Sequence, residues 1–121
     1  MIIYNVNKEK GVIVARFEGG RDYWEESLQD MVNNITSKSW MSVPYYIVTN
    51  AMKNVEDFTG RAILNPEDEW DEEYGKNLAK KRLLYKFNCV KINVLSKMKQ
   101  FVTQEYDNTI ARIDKKLFRG I

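Results

Sequence analysis

The stretch FTGRAIL, residues 58–64, predicts a β-strand whose two faces differ in character. One face carries Phe58, Gly60 and Ala62, and the other face carries Arg61 with its polar and β-branched neighbours. Because Gly60 and Ala62 are small, we expect a helix to pack closely against their face. Arg61 would then lie on the side of the strand that faces away from that helix.

Two strands and a helix are predicted before this segment. Residues 2–17 alternate and then run through β-branched side chains, with a turn at Lys8–Gly11, which is typical of a β-hairpin. Apolar residues recur at helical spacing over about residues 23–36, which predicts an amphipathic helix. The apolar run Tyr45–Thr49 follows a proline and is interpreted as a further strand.

The segment after residue 64 begins with a dense acidic cluster. Six of the eight residues from Pro66 to Glu73 are acidic. Asn65 is a good helix N-cap, Pro66 suits the first helical position, and acids in the first turns complement the positive end of the helix dipole. The cluster is therefore interpreted mainly as the start of a helix, with a functional acidic patch as the alternative.

The predicted C-terminal half is wholly helical. Apolar residues at three- and four-residue steps predict a helix over about residues 67–103. Asp107-Asn108-Thr109 favours a break, and Tyr106 to Leu117 would form a last helix that stops at Gly120.

This long helix favours self-association. Thirty-seven residues span about 55 Å, whereas a compact domain of this size is roughly 35 Å across. Its apolar residues also point to several sides, so we expect a homodimer or larger assembly through residues of about 78–102. A kink that folds the helix back on itself is the alternative.

The fold class predicted from these elements is α+β. A small antiparallel sheet (the β-hairpin, a helix and two further strands) is followed by long C-terminal helices that assemble an oligomer. We expect one domain over residues 1–121, with the sheet and one helix in residues 1–64 and the long helices in residues 65–121.

The composition argues against several classes of protein. There is no histidine and only one cysteine, Cys89, which is interpreted as a small core residue. The sequence contains neither a glycine-rich phosphate loop nor a calcium loop, and the acidic cluster has no second set of ligands. We therefore expect no enzyme activity, no metal and no cofactor. The lone cysteine and the absence of a signal or membrane-spanning segment favour the cytoplasm.

The charge is unevenly divided along the chain. Residues 1–60 carry six basic and eight acidic side chains, a net charge of −2, and residues 61–121 carry thirteen and nine, a net charge of +4. Lys76 to Lys99 holds eight bases and no acid, a field that attracts anions, although a solvated lysine face is the alternative. Candidate ligand-binding residues, chosen for phosphate and base recognition, are Arg61, Arg82, Lys86, Phe87, Asn93 and Arg112.

The chain also resembles a family of bacterial-virus proteins. The resemblance covers about 25 residues and consists of Gly-x-Ala at residues 60–62, Asp-x-aromatic-Asp at residues 68–71 and Gly-x-x-Leu-Ala-x-x-Arg at residues 75–82. This pattern is similar to that of the first-described Thoeris anti-defence family, whose members have a sheet followed by long helices and assemble through those helices.

The resemblance implies a function. Members of that family bind cyclic ADP-ribose isomers, and some bind cyclic oligonucleotides, without cleaving them. They thereby withhold the signal of a TIR-domain immune system, so this chain would act as a signal sponge in the cytoplasm of an infected or lysogenic bacterium. Two other hypotheses are a nucleic-acid-binding protein that uses the basic helix 76–99, and a nucleic-acid mimic that inhibits a host factor.

Overall fold

The computed structural model describes residues 1–39 and 42–119, with side chains as far as residue 117. The predicted helix stop at Gly120 lies outside the described residues. The α+β class is confirmed: a three-stranded antiparallel sheet in the order β1-β2-β3 is covered by helices. The elements are β1 (Ile2–Asn7), β2 (Val12–Phe17), α1 (Arg21–Ser39), α2 (Tyr46–Met52), β3 (Thr59–Ile63) and α3 (Glu72–Arg119).

The predicted hairpin forms the first two strands of the sheet. Ile2 pairs with Phe17 at one end and Asn7 pairs with Val12 at the turn. Gly11 ends the turn with a φ of 66°, a left-handed conformation that favours glycine. Its carbonyl oxygen accepts a hydrogen bond from the backbone N–H of Leu64 over 2.7 Å, which ties the hairpin turn to the end of β3.

The hydrophobic core lies between the sheet and the helices. Ile13 and Ala15 of β2 are fully buried, as are Trp24 of α1 and Leu83 of α3. The Trp24 ring meets the Phe58 ring edge-on, with the ring centroids 5.1 Å apart. Burying large side chains such as these supplies most of the free energy that favours folding.

α3 lies very close to β3 along the face of the strand that carries the small residues Gly60 and Ala62. Gly60 is buried, and a Cβ atom placed on it would overlap the backbone atoms of Ala79 and Leu83 in α3. Ala62, the other small residue of this face, is also fully buried. The predicted close packing of a helix against β3 is confirmed.

Gly60→Ala should therefore destabilise the protein strongly. The added methyl group meets backbone, which cannot turn aside as a side chain can, so we expect a loss of about 2–4 kcal/mol in the free energy of unfolding. Gly75→Ala is the matched control, because its Cβ would meet the flexible end of the Ile13 side chain. Urea unfolding followed by circular dichroism measures both variants, and equal losses would contradict the proposed backbone contact.

The prediction of a strand at Tyr45–Thr49 is wrong, because this segment forms α2. Ile47, Val48, Ala51 and Met52 are buried, a spacing that places them on one side of a helix. A short apolar run fits a strand and a buried helix equally well, and here tertiary packing decides in favour of the helix. The sheet consequently has three strands, one fewer than predicted.

The long helix begins later than predicted and does not break. Asn65 does not cap the helix but forms a turn, in which its side-chain oxygen accepts a hydrogen bond from the N–H of Glu67 over 3.1 Å. The helix begins at Glu72. Asp71 is the cap, because its carboxylate accepts the N–H of Tyr74 over 3.0 Å. The predicted break at residues 107–109 is wrong: Thr109 Oγ1 donates to the carbonyl oxygen of Glu105 four residues earlier, and α3 remains continuous to Arg119.

α3 has two apolar faces and only one of them is covered. The buried face packs on the sheet, on α2 and on α1, and the last buried residue among its described side chains is Met98. A second set of large apolar side chains lies about half a turn away around the helix and is exposed. This exposed stripe consists of Tyr85, Ile92, Leu95, Tyr106, Ile110, Ile113 and Leu117. With 48 residues, α3 is about 70 Å long, so its distal part extends past the core.

Candidate functional site

A groove of about 620 Å³ lies where the exposed face of β3 meets α3. Four cationic side chains and one aromatic ring line it: Arg61 from β3, and Lys81, Arg82, Tyr85 and Lys86 from α3. We call this the cationic groove. The four cations come from the consecutive elements β3 and α3, and the contact of Gly60 with α3 brings them together.

Hydrogen bonds to the backbone and carboxylate of the β3 region hold two of the cations in place. Nη1 of Arg82 donates to the carbonyl oxygen of Arg61 over 2.6 Å. Nζ of Lys86 donates to the carbonyl oxygen of Thr59 over 2.8 Å and to Oδ1 of Asp57 over 2.6 Å. Arg82 retains further N–H donors for an anion, because a guanidinium carries five.

Asp57 is the anionic partner within this arrangement. Its carboxylate accepts hydrogen bonds from Lys86 and from the hydroxyl and backbone N–H of Thr59. The bond from Lys86 is the main cause that lowers the pKa of Asp57 from 3.8 to about 2, against a smaller opposing effect of burial. Asp57 therefore stays ionised at neutral pH and is a poor proton acceptor.

Asp57→Asn should reduce stability in a pH-dependent way. Because the folded-state pKa is depressed, the carboxylate contributes stability above pH 4, and this contribution is lost as the pH falls from about 4 to about 2. The Lys86–Asp57 pair is about two-fifths exposed, so after solvent screening we expect a cost of about 1 kcal/mol at pH 7.

Urea unfolding at several pH values measures this difference between the parent and Asp57→Asn. The difference should vanish near pH 2. Glu56→Gln removes a neighbouring exposed carboxylate and is the control. A difference that is the same at pH 7 and pH 2 would show that the Asp57 carboxylate does not stabilise the fold through its charge.

Tyr85 gives the groove an exposed aromatic face. Its side chain is 72 % exposed and lies one helical turn beyond Lys81. Guanidinium and ammonium groups bind phosphate oxygens, and a tyrosine ring stacks on planar bases. The groove therefore offers the contacts that a phosphate-bearing planar ligand requires.

A second cavity, of about 350 Å³, adjoins the cationic groove and shares Tyr85 and Lys86 with it. We call it the Trp24 cavity. Its lining consists of Trp24, Asn54, Val55, Glu56, Asp57, Tyr85, Lys86, Cys89 and Val90. The interpretation of Cys89 as a core residue is wrong, because Cys89 is exposed on α3.

The structure brings together three of the six predicted ligand-binding residues, Arg61, Arg82 and Lys86. Phe87 is 4 % exposed and packs in the core against Trp24, beneath the ammonium group of Lys91. Asn93 lies outside the groove, about two turns beyond Lys86 on an exposed part of α3. Arg112 lies about 45 Å along α3 from Arg82, so one chain does not place both in a single site.

Several residues of the two cavities were not predicted as site residues. Lys81 and Tyr85 were the easier ones to find, since they flank Arg82 and lie four residues apart on the predicted helix. Asp57 and Trp24 come from different elements and meet α3 only in the tertiary fold. Nothing in their local sequence indicated this position.

A third cleft, of about 240 Å³, lies between α1 and α2, and its chemistry differs. Amide and hydroxyl side chains such as Gln29, Asn33 and Thr36 line it together with Val32 and Pro44. Among residues 1–39 and 42–117, no lysine or arginine lines this cleft, so the described lining lacks the charge that an anionic ligand needs. The cationic groove is therefore the better candidate site for an anion.

Within residues 1–39 and 42–117, no group of three or more acidic, cysteine or histidine side chains is placed to hold a metal ion. No helix among the described residues is both long and apolar enough to cross a membrane. The chain matches no known family model, no curated protein and no solved structure.

Proposed function

We propose that this protein binds and sequesters a small cyclic nucleotide signal, a cyclic ADP-ribose isomer or a cyclic oligonucleotide, without cleaving it. The observation that supports the proposal is the cationic groove, in which four cations and an exposed tyrosine ring lie together. Phosphates would pair with Arg61, Lys81 and Arg82, and Tyr85 offers a ring for stacking. The resemblance to the Thoeris anti-defence family supports the same class of ligand and a viral counter-defence role.

The distribution of the bases favours a compact ligand over a nucleic-acid strand. Lys76 lies over the Tyr4 ring of β1, and Lys91 lies over the Phe87 ring, on sides of α3 away from the groove. Lys97 and Lys99 point in opposite directions, because successive residues are rotated by about 100° around a helix. The eight bases therefore do not form one continuous stripe that could follow a phosphate backbone.

The chemistry of the groove supports binding without turnover. Its lining is four cations and a tyrosine, which stabilise negative charge. The adjacent Asp57 carboxylate is engaged by Lys86 and has a lowered pKa, so it is a weak general base. Sequestration needs only tight and reversible binding.

Calorimetry with a cyclic ADP-ribose isomer tests the proposal. A sponge that outcompetes a receptor needs a Kd of about 1 nM or below, which corresponds to about −12 kcal/mol. Arg61→Ala and Lys81→Ala should each weaken binding by about 1.5–3 kcal/mol, the contribution of a charge-assisted hydrogen bond. Lys97→Ala, which removes an exposed lysine outside the groove, is the matched control and should bind like the parent.

Ligand recovered by heating the complex after hours of incubation should be intact. Duplex DNA should not bind at moderate salt. Binding of DNA with a steep salt dependence, together with no binding of the cyclic nucleotide, would favour a nucleic-acid-binding protein instead. Steady conversion of the ligand to a linear product would contradict sequestration.

We further propose that two copies of the chain pair through the exposed stripe of α3. Large apolar side chains at three- and four-residue steps, such as Ile110, Ile113 and Leu117, are typical of a helix that packs against another helix. The stripe continues from the predicted interface at residues 78–102 to Leu117. A second copy offers the same stripe and can cover it from Ile92 to Leu117, which leaves the Tyr85 ring in the groove uncovered.

Charge favours an antiparallel pair. Lys76 to Lys99 carries eight bases and no acid, whereas residues 103–119 carry three acids and four bases. A parallel pair would set the two strongly basic halves side by side, while an antiparallel pair sets each basic half near the almost neutral distal segment of the other copy.

Light scattering should give twice the chain mass, and Ile110→Glu with Ile113→Glu should give a monomer, because buried glutamates oppose association. Lys115→Glu, on the opposite side of the helix, is the control.

Spin labels on Cys89, the only cysteine, report the direction of pairing. An antiparallel pair centred between Ile92 and Leu117 places them about 45 Å apart and a parallel pair about 10 Å apart. A monomeric parent would contradict the pairing.

A further inference from the structure

β3 forms one edge of the sheet, so every second residue of this strand directs its backbone N–H and C=O groups away from β2. The hydrogen bond from the N–H of Leu64 to the carbonyl oxygen of Gly11 shows which residues these are. Counted back from Leu64 in steps of two, Ala62 and Gly60 are the residues that bond to β2. The outward-facing residues of β3 are therefore Thr59, Arg61 and Ile63.

Two cations of α3 bind the outward carbonyl groups of this edge. Lys86 Nζ donates to the carbonyl oxygen of Thr59 over 2.8 Å, and Arg82 Nη1 donates to that of Arg61 over 2.6 Å. These two carbonyl groups are two residues apart, or about 6.6 Å along the strand. The N–H of Arg61 lies between them on the same edge and has no acceptor among the residues that the structure describes. It is an unpaired donor with a cation on either side.

Each flanking cation keeps donors for a further partner. Lys86 Nζ gives one N–H to Thr59 and one to Asp57, so one of its three remains. The Arg82 guanidinium gives one of its five N–H groups to the strand. The four cations of the groove less the one Asp57 carboxylate leave a local charge of +3. A neutral backbone donor among charged donors suits an oxyanion such as phosphate.

The contacts at this edge favour a phosphate group over a peptide strand. A peptide that extends a sheet pairs with the carbonyl groups of the edge as well as with its N–H groups. The carbonyl oxygens of Thr59 and Arg61 are already bound by Lys86 and Arg82, whereas the N–H between them is open. A phosphate needs donors alone, so it binds here without displacing either cation.

We infer that the backbone N–H of Arg61 is a phosphate subsite, in which one phosphate group accepts hydrogen bonds from this N–H and from the flanking Arg82 and Lys86. This inference rests on the proposed nucleotide-binding function and extends it from the side chains of the groove to the backbone of β3. The position of the subsite depends on Gly60, because its contact with α3 brings Arg82 and Lys86 within reach of the strand edge.

The Arg61 amide signal in a proton–nitrogen correlation spectrum of the full chain tests the subsite, with ADP as the probe. At saturating ADP this signal should move downfield as the hydrogen bond forms, and exchange of the amide hydrogen with solvent should slow. The amides of Gly60 and Ala62 bond to β2 and are the internal controls, which should change less. An Arg61 signal that moves no more than these controls would overturn the subsite.

Proline at position 61 separates the role of the N–H from that of the side chain. Arg61→Ala removes the guanidinium and keeps the N–H, whereas Arg61→Pro removes both. An edge strand tolerates proline where the N–H faces outward, and the preceding Gly60 has the smallest side chain to clash with the ring. Arg61→Pro should bind ADP at least about tenfold more weakly than Arg61→Ala, the loss expected for a hydrogen bond to a charged group.

Ile63→Pro removes the next outward N–H of the same edge and is the matched control. Ile63 is not among the described residues that line the groove, so this variant should bind ADP within about twofold of the parent. A loss as large as that of Arg61→Pro would indicate a partner that pairs along the whole edge, as a peptide strand does, and would overturn the subsite. Circular dichroism shows whether each proline variant is folded.

The outcomes separate the phosphate subsite from the proposed function. If a cyclic ADP-ribose isomer binds and Arg61→Ala weakens it, but neither that ligand nor ADP moves the Arg61 amide signal, the subsite is wrong and sequestration stands. If ADP moves the signal and the cyclic nucleotides do not bind, the subsite stands and the proposed signal is wrong. If neither ADP nor a cyclic nucleotide binds, both proposals fail.

Discussion

The contact between the backbones of β3 and α3 at Gly60 is the constraint on which the rest of the structure depends. No side chain separates Gly60 from Ala79 and Leu83, so the helix lies directly on the strand. At this distance the Arg82 guanidinium reaches the carbonyl oxygen of Arg61, and the next turn of α3 reaches β3 through Lys86. A side chain at position 60 would force these groups apart. One small residue therefore determines both the core packing and the geometry of the cationic groove.

Much of the fold followed from local patterns in the sequence. The alternation in residues 2–17 predicted the hairpin, and the small face of FTGRAIL predicted the close helix. The errors occurred where a pattern fitted two structures. The run Tyr45–Thr49 was too short for its period to distinguish strand from helix. Asn65 and Asp71 are both good caps, and only the folded chain shows that Asp71 begins α3.

The candidate site was less predictable than the fold, because it joins residues from four elements or their flanking loops. Arg61, Arg82 and Lys86 were expected from their chemistry, and the structure places them in one groove. Phe87 was expected in the site because it directly follows Lys86 in the sequence. Adjacent residues of a helix, however, point about 100° apart. Phe87 faces the core, and the ring beside the cations is Tyr85.

The cationic groove is proposed to hold the phosphates of a cyclic nucleotide, which the chain withholds unchanged. A crystal structure of the full chain with a bound cyclic ADP-ribose isomer tests that claim most directly. We expect phosphate oxygens within hydrogen-bonding distance of Arg61 and Lys81, and a base stacked on the Tyr85 ring. Electron density for the ligand in the cleft between α1 and α2, or along the distal part of α3, would contradict it.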